Sequence, residues 1–474
     1  MGRQKKNARS TDVRSTTRRR ALLGVTASGL VLAAFACGDD DVAPTPGGVD
    51  AAPAPETGTA LDGGNDVTPA PDAAAPTVVT ASFSGGGPVA GLEVIFHLPD
   101  GTARVAKTGA DGTVKDGVPA GSSVTLFAPA SRRRAATLAT VMGVGPGDVV
   151  PFRFVDRPGQ DVQVGAFDTD GGATYFVSVC GSASTLPAPP GTKTESFPVC
   201  RDDAGAMPVL FAASTTASPI DTIAWAPKLL PWVDGGAPAS ALMGAITEWQ
   251  PAGARRALTV TGTLPVDATA IDVDVSFVHD DIRFGSTSLG AGTLPASLQF
   301  VPPPTAFAPI TERRAVVRQP STERGVISRS AAAATDLTST VDDLLPQVTA
   351  VTLSGASDAP SVAYTSAGSV ATAHGIVVEL VALGDGGDAD RFVWMARASG
   401  TSGAVTLPKL PAAYASRVSA GGFTTGALTV VAHSGATSAQ AFRTQPFEVD
   451  APARSAQMTL PAAPVTLKTS RRAF

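Results

Sequence analysis

The chain has 474 residues, of which 43% are hydrophobic, 16% charged and 5% aromatic, with 49 Gly and 39 Pro. It is too apolar for a wholly disordered polymer and too rich in helix breakers for a helical bundle. A formal charge of −5 (36 basic against 41 acidic residues) argues against a broad nucleic-acid-binding surface. Three Cys and four His leave little material for zinc or haem, so no cofactor is expected.

Residues 1–36 read as a processing signal and not as part of the fold. Arg3, Lys5, Lys6, Arg9, Arg14 and Arg18-Arg19-Arg20 form a basic stretch, followed by the uncharged segment Ala21 to Ala36 and by Cys37. As a helix that segment would span roughly 24 Å, short of the roughly 30 Å hydrocarbon core, which predicts cleavage over a permanent span. Ala34-Phe35-Ala36-Cys37-Gly38 resembles the end of a bacterial lipoprotein signal, with Ala34 standing where Leu is usual. The resemblance implies a diacylglyceryl group on Cys37, cleavage before it, and sorting to the outer membrane, with which Gly38 is compatible. An ordinary secretory signal cut at the same site is the alternative. Thr17-Arg18-Arg19-Arg20-Ala21-Leu22-Leu23 is similar to a twin-arginine export motif, although Arg runs also precede ordinary signals.

Residues 37–77 form a tether: beyond Cys37 they hold eight acidic residues, no basic one, and few large apolar side chains. Such a segment cannot bury enough surface to offset chain entropy, and its prolines and like charges favour an extended spacer. It takes most of the net charge. Removing residues 1–36 leaves 28 basic against 40 acidic residues, and the part beyond the tether holds 28 against 32.

From Val78 onward, short apolar runs alternate with Gly, Pro, Asp and Ser clusters, which predicts an all-β fold of tandem β-sandwich modules. In residues 78–154 the strands expected are Val89 to Phe96, Ala103 to Lys107 and Val124 to Phe127, with hairpin turns at Asp100-Gly101 and Asp111-Gly112. Val89, Gly91, Val94, Asp100-Gly101, Thr108, Asp111-Gly112, Pro119, Gly121, Val124 and Leu126 resemble the motifs of carboxypeptidase-regulatory-like and related Ig-like modules. That resemblance implies a transthyretin-like or Ig-like sandwich without enzymatic activity.

Residues 155–301 read as a further β-rich module or modules. With Cys37 assigned to lipid, Cys180 and Cys200 remain as an even pair in an oxidising compartment. A disulfide is expected there, and two free thiols are the alternative. Trp225, Trp232 and Trp249 cluster within residues 214–255. Exposed, they would give sugar rings a stacking platform; buried, they would simply fill a core. Residues 302–348 are a locally basic connecting segment, in which Ala315 to Val317 and Val326-Ile327 either pair around Gln319-Pro320-Ser321 or run exposed between modules. Residues 349–466 read as a C-terminal sandwich, loosely similar to a fibronectin-type-III domain around Trp394, and 467–474 as a tail.

No serine-hydrolase elbow, zinc-protease helix or phosphate loop occurs, and Gly285-Ser-Thr-Ser288-Leu-Gly290 has the wrong spacing for the first. His97, His279, His374 and His433 are scattered singly. Asp272 and Asp274 share a strand face near His279-Asp280-Asp281, where a carboxylate metal site competes with a solvated strand. Asp385 to Asp390 and Asp168 to Gly171 have calcium-loop-like spacing but no distal Glu, which favours turns. The expectation is a non-catalytic envelope protein, held to the membrane through Cys37, with modules for adhesion, binding or scaffolding. Its partners would be polysaccharide or another envelope protein. A carbohydrate-binding lipoprotein and a hydrolase with an unfamiliar site are the alternatives.

Overall fold

The structure, a computed structural model, describes residues 75–83, 87–130, 135–154, 161–164, 174–179, 182–187, 195–198, 205–216, 218–231, 248–280, 282–332, 335–384, 387–418, 422–449 and 464–474. Contacts divide the chain into Met1–Thr68 and Pro69–Phe474, and every described residue belongs to the second unit. The signal segment, Cys37, Cys180, Cys200, Trp232, Asp385 and the Asp168 to Gly171 loop lie outside the described residues. What is described is nearly all β, in several sheets with no barrel.

The first strands are β1 (Thr77–Phe83), β2 (Glu93–His97), β3 (Ala103–Lys107), β4 (Thr113–Asp116), β5 (Ser122–Ala128), β6 (Ala136–Val144) and β7 (Val149–Phe154). They make two facing layers, β7-β1-β4 and β6-β5-β2-β3, closed over Val79, Phe96, Leu126 and Phe152. Asp100-Gly101 does connect a paired hairpin, β2 and β3. Asp111-Gly112 instead carries the chain from one layer to the other, because β4 pairs with β1 and not with β3. A Cβ on Gly112 would sit 2.4 Å from the Ala81 carbonyl oxygen, so the corner admits only glycine.

Next come β8 (Asp161–Val164), β9 (Thr174–Val179), β10 (Ser182–Pro187), β11 (Glu195–Pro198), β12 (Ala206–Ser214), β13 (Thr222–Pro231) and β14 (Gln250–Pro251). They are followed by β15 (Arg256–Thr261), β16 (Ala270–His279), β17 (Ile282–Ala291), β18 (Ala296–Phe300), β19 (Ile310–Gln319), β20 (Thr322–Ala331) and β21 (Leu337–Thr340). The sheets β10-β9-β12-β13-β14 and β18-β15-β21 share a core with β17, β16 and β19, built on Val177, Phe211, Val273, Phe277 and Phe300. Residues 302–348 are thus not a connecting segment. β19 and β20 pair from Ile310 opposite Ala331 to Gln319 opposite Thr322, leaving Pro320-Ser321 as the turn. Ala315 and Val317 enter the core, Arg314 and Arg318 stay 40% and 55% exposed, and Arg329 is buried in an ion pair with Glu312.

The C-terminal part holds β22 (Val348–Ala356), β23 (Ala359–Ser366), β24 (Gly375–Gly384), β25 (Gly387–Ser399), β26 (Ala404–Thr406), the short helix α1 (Ala412–Ala415) and β27 (Thr425–His433). After these come the short helix α2 (Ala439–Arg443), β28 (Phe447–Glu448) and β29 (Val465–Ala473). The residues expected as a tail, 467–474, carry most of β29, which lies between β20 and β27.

One sheet crosses the expected module boundaries: twelve strands in the order β17-β16-β19-β20-β29-β27-β24-β25-β6-β5-β2-β3. The segments are joined edge to edge, by β29 at one seam and by the parallel pairing of β25 with β6 at the other. At that second seam the sheet is covered on both faces. Trp394, Leu380 and Leu138 share a core with Val362 and Val405 of the sheet β22-β23-β26. Val393, Met395 and Ala139 share another with Val79, Phe152 and Phe447 of the sheet β28-β7-β1-β4. Strands buried on both sides read as continuous apolar runs, as Phe392-Val-Trp-Met-Ala396 does.

Because these seams are backbone pairings, heating the protein is expected to give one cooperative calorimetric transition spanning all the sheets. Leu467→Ala, emptying a fully buried site in β29, should destabilise that transition by about 3 kcal/mol. Resolved transitions, with only one moved by the substitution, would mean that the segments fold independently.

Candidate functional site

The densest buried polar chemistry lies along the β25–β6 seam. Trp394 is fully buried, and its Nε1 donates to Thr140 Oγ1 at 2.9 Å. Thr140 Oγ1 lies 2.8 Å from Thr125 Oγ1, which in turn lies 2.9 Å from His97 Nε2. The four side chains cross β25, β6, β5 and β2 in sequence, so one hydrogen-bond chain ties the C-terminal part to the N-terminal sandwich. Beside it, the Tyr414 hydroxyl donates to Glu93 Oε2 at 2.8 Å. Burial, reinforced by the Glu93 carboxylate, pushes that phenol up to about 12.

On the opposite face, Arg397 is 2% exposed and its guanidinium donates to backbone carbonyls. Its Nη1 donates to the carbonyls of Gln445 (2.5 Å) and Phe442 (3.5 Å), and its Nη2 to that of Pro446 (3.0 Å). The Phe447 and Phe442 rings flank it at 4.7 and 5.6 Å. Burial lowers Arg397 to about 9, partly offset by the charge of Glu448. This guanidinium therefore clamps the α2–β28 segment onto β25. A second clamp acts through Asp148, which accepts from Gln440 at 2.7 Å and pairs with Arg443 at 3.5 Å.

His433 is fully buried in the same region. Its backbone N–H donates to His374 Nδ1 at 2.9 Å, and its own Nδ1 accepts from Gly435 N at 3.0 Å. That bond leaves the proton of the neutral ring on Nε2, which has no hydrogen-bond partner among the described residues. Burial, then the Arg397 and His374 charges, lowers His433 to about 4. His97 is lowered to about 4 by burial alone, against a hydrogen bond with the Lys409 backbone that favours the proton.

A third cluster lies between β17, β19 and β20. Glu312 accepts from Arg283 (2.7 and 3.2 Å) and from Arg329 (2.8 Å). Burial opposes the Glu312 charge, but the two guanidiniums outweigh it and hold the carboxyl below its ordinary range. Nearby, Asp274 and Asp272 do share a strand face, and each meets a guanidinium: Arg314 at 3.9 Å for Asp274, Arg318 for Asp272. Each of the two carboxylates is thus paired with an arginine. His279 stacks on Phe307 at 4.9 Å, Asp280 has a positive φ, and Asp281 lies outside the described residues.

The tryptophan platform fails for Trp225, which is 5% exposed and packs edge-on against Phe277 within the core at 6.5 Å. Trp249 is partly buried against the same core, 6.0 Å from Tyr175. The residues that matter most inside, Thr125, Thr140 and Arg397, are not apparent from any motif. Their one signal is a polar side chain within an otherwise apolar run, as in Ser-Val-Thr125-Leu-Phe and Trp394-Met-Ala-Arg397-Ala.

No family model matches the chain, and no curated protein matches it. Among solved structures, the Bacillus anthracis TIE protein aligns with 57% of this chain and 50% of its own length, at 8% identity and a TM-score of 0.16. A score that low carries no argument about fold or function.

The two imidazoles bind a proton more weakly in the folded chain than in the unfolded one, where the ordinary value is 6.5. Protonation therefore favours unfolding. Their contribution is complete above pH 6.5 and is lost as pH falls toward 4. Urea midpoints should decline across that window, and His97→Gln should flatten the decline; an unchanged slope would mean that His97 is not held neutral.

Proposed function

We propose that the chain is a lipid-anchored protein of the bacterial cell envelope, in which the β-sheet body serves adhesion, binding or scaffolding without catalysis. The order of segments carries this reading: a basic stretch, the short apolar segment Ala21 to Ala36, Cys37, an acidic Pro-rich spacer, and then the sheets. Acyl chains on Cys37, at about 0.8 kcal/mol per buried CH₂, would hold the protein to a membrane. The spacer would lift the body off the lipid surface, and Cys180 would pair with Cys200 in the oxidising compartment. Sorting to the outer membrane is the destination favoured by Gly38.

What supports a non-catalytic body is the use made of its buried ionisable groups. Glu312 bridges two guanidiniums, Arg397 holds three carbonyls, and His97 ends a hydroxyl chain across four strands. Each is tied to holding one strand or segment against another. The interior is therefore built for rigidity across segments, which suits a part that must present a surface under load.

Metabolic labelling with a palmitate analogue, followed by fractionation of a bacterium making the full chain, tests the anchor. The wild type should carry label and sediment with membranes, while Cys37→Ser should lose the label and appear in the soluble fraction. An unlabelled, soluble wild type would remove the anchor from the proposal.

A further inference from the structure

Sheet edges expose unpaired N–H and C=O groups, and folded proteins protect them with charge, proline, shortness or cover. Most edges of this protein are protected in that way. β3 carries Arg104 and Lys107, β4 carries Lys115 and Asp116, β14 is two residues ending in Pro251, and β26 is three residues long. The edge strands β10, β18 and β21 are uncharged but short, at six, five and four residues, and β10 ends in Pro187. β17 carries Arg283 and is met from outside by Ser178, whose Oγ accepts from Gly285 N at 3.2 Å. β22 is different. It is an edge of the sheet β22-β23-β26, runs nine residues as Val-Thr-Ala-Val-Thr-Leu-Ser-Gly-Ala, and contains neither a charge nor a proline.

Its pairing with β23 shifts register between Val348 and Ala350 and is then regular from Ala350 opposite Thr365 to Ala356 opposite Ala359. At Val348 the outward backbone groups are already used, by Ser470 Oγ (3.1 Å) and by Arg472 (3.5 Å). Beyond that point, among the described residues, no group from outside the sheet bonds the backbone of Ala350 to Ser354. Alternate residues of a strand turn their N–H and C=O away from the neighbour they pair with, so among the described residues this stretch presents a ladder with no partner.

We propose that this edge pairs with the same edge of a second copy of the chain, antiparallel, about a two-fold axis through Thr352. An axis there sets Thr352 opposite its own copy, Val351 opposite Leu353, and Ala350 opposite Ser354. Val351 and Leu353 already pack on the core beneath the sheet, so their pairing extends that apolar row across the axis. Ala350, Thr352 and Ser354 lie on the exposed face, where a Thr–Thr pair can hydrogen-bond. A two-fold axis places any charge near its own copy, and an uncharged strand is the kind that such an axis tolerates. The contact is isologous, so it closes at a dimer and does not propagate. It joins two three-stranded sheets into one of six strands through β22 alone, independently of whether Cys37 carries lipid.

The full chain carrying Cys37→Ser, which can be sedimented without detergent, tests the pairing. It should show a concentration-dependent monomer–dimer equilibrium, and adding Thr352→Lys, which opposes two ammonium groups on the axis at an exposed site, should abolish the dimer. Thr352→Cys should form an oxidant-dependent cross-linked dimer, because paired Cβ atoms lie about 5 Å apart. Ala363→Cys, opposite Thr352 on β23, should not, since three strand spacings put its copy about 14 Å away. Equal sedimentation of the parent and Thr352→Lys, equal cross-linking of the two cysteine variants, or assemblies larger than a dimer would each overturn the proposal.

Discussion

The parallel pairing of β25 with β6, Phe392 opposite Ala136 through Arg397 opposite Val141, is the contact on which the rest of the structure depends. It brings together residues some 250 positions apart, as the Trp394 to Thr140 bond records. It also turns two separate sheet portions into one continuous sheet. Once that sheet exists, each of its central faces needs a cover, and β22-β23-β26 and β28-β7-β1-β4 provide the two. Burial on both faces then dictates the composition of the strands: nearly every side chain from Phe392 to Ala398 is buried.

A seam of this kind has no solvent to satisfy polar groups, so most of those that occur bond one another. The Trp394–Thr140–Thr125–His97 chain does so across four strands. Arg397 does so by taking backbone carbonyls from the segment leading into β28, which lies at the edge of the covering sheet next to β7. Such networks add specificity because only one register satisfies every member. They also make the interior sensitive to acid, since the neutral imidazoles of His97 and His433 are part of the packing.

Much of the local structure was legible from the residues. The strand Ala103 to Lys107, the Asp100-Gly101 turn and the shared face of Asp272 and Asp274 follow from period-two patterning and turn chemistry alone. The pairing of Ala315 with Val326 was one of two open readings, and the structure selects it. Module boundaries were not legible. Gly and Pro punctuation marks where a strand stops but does not say which strand lies beside it, so residues 302–348 looked like a connection and 467–474 like a tail. Trp225 shows the same limit, because composition cannot distinguish a face turned to solvent from one turned to Phe277.

The sequence by itself determined the β character, the positions of tight turns, and the order of basic stretch, apolar segment, cysteine and acidic spacer that motivates an envelope address. These are local properties, set by side-chain period, backbone φ and charge within a few residues. Only the tertiary structure decided that the segments share one sheet, that Asp272 and Asp274 face arginines, and that β22 lies at a sheet edge. The reason is physical: hydrogen bonds between strands use backbone groups common to every residue, so the choice of partner is made by how whole faces are buried and not by any short motif.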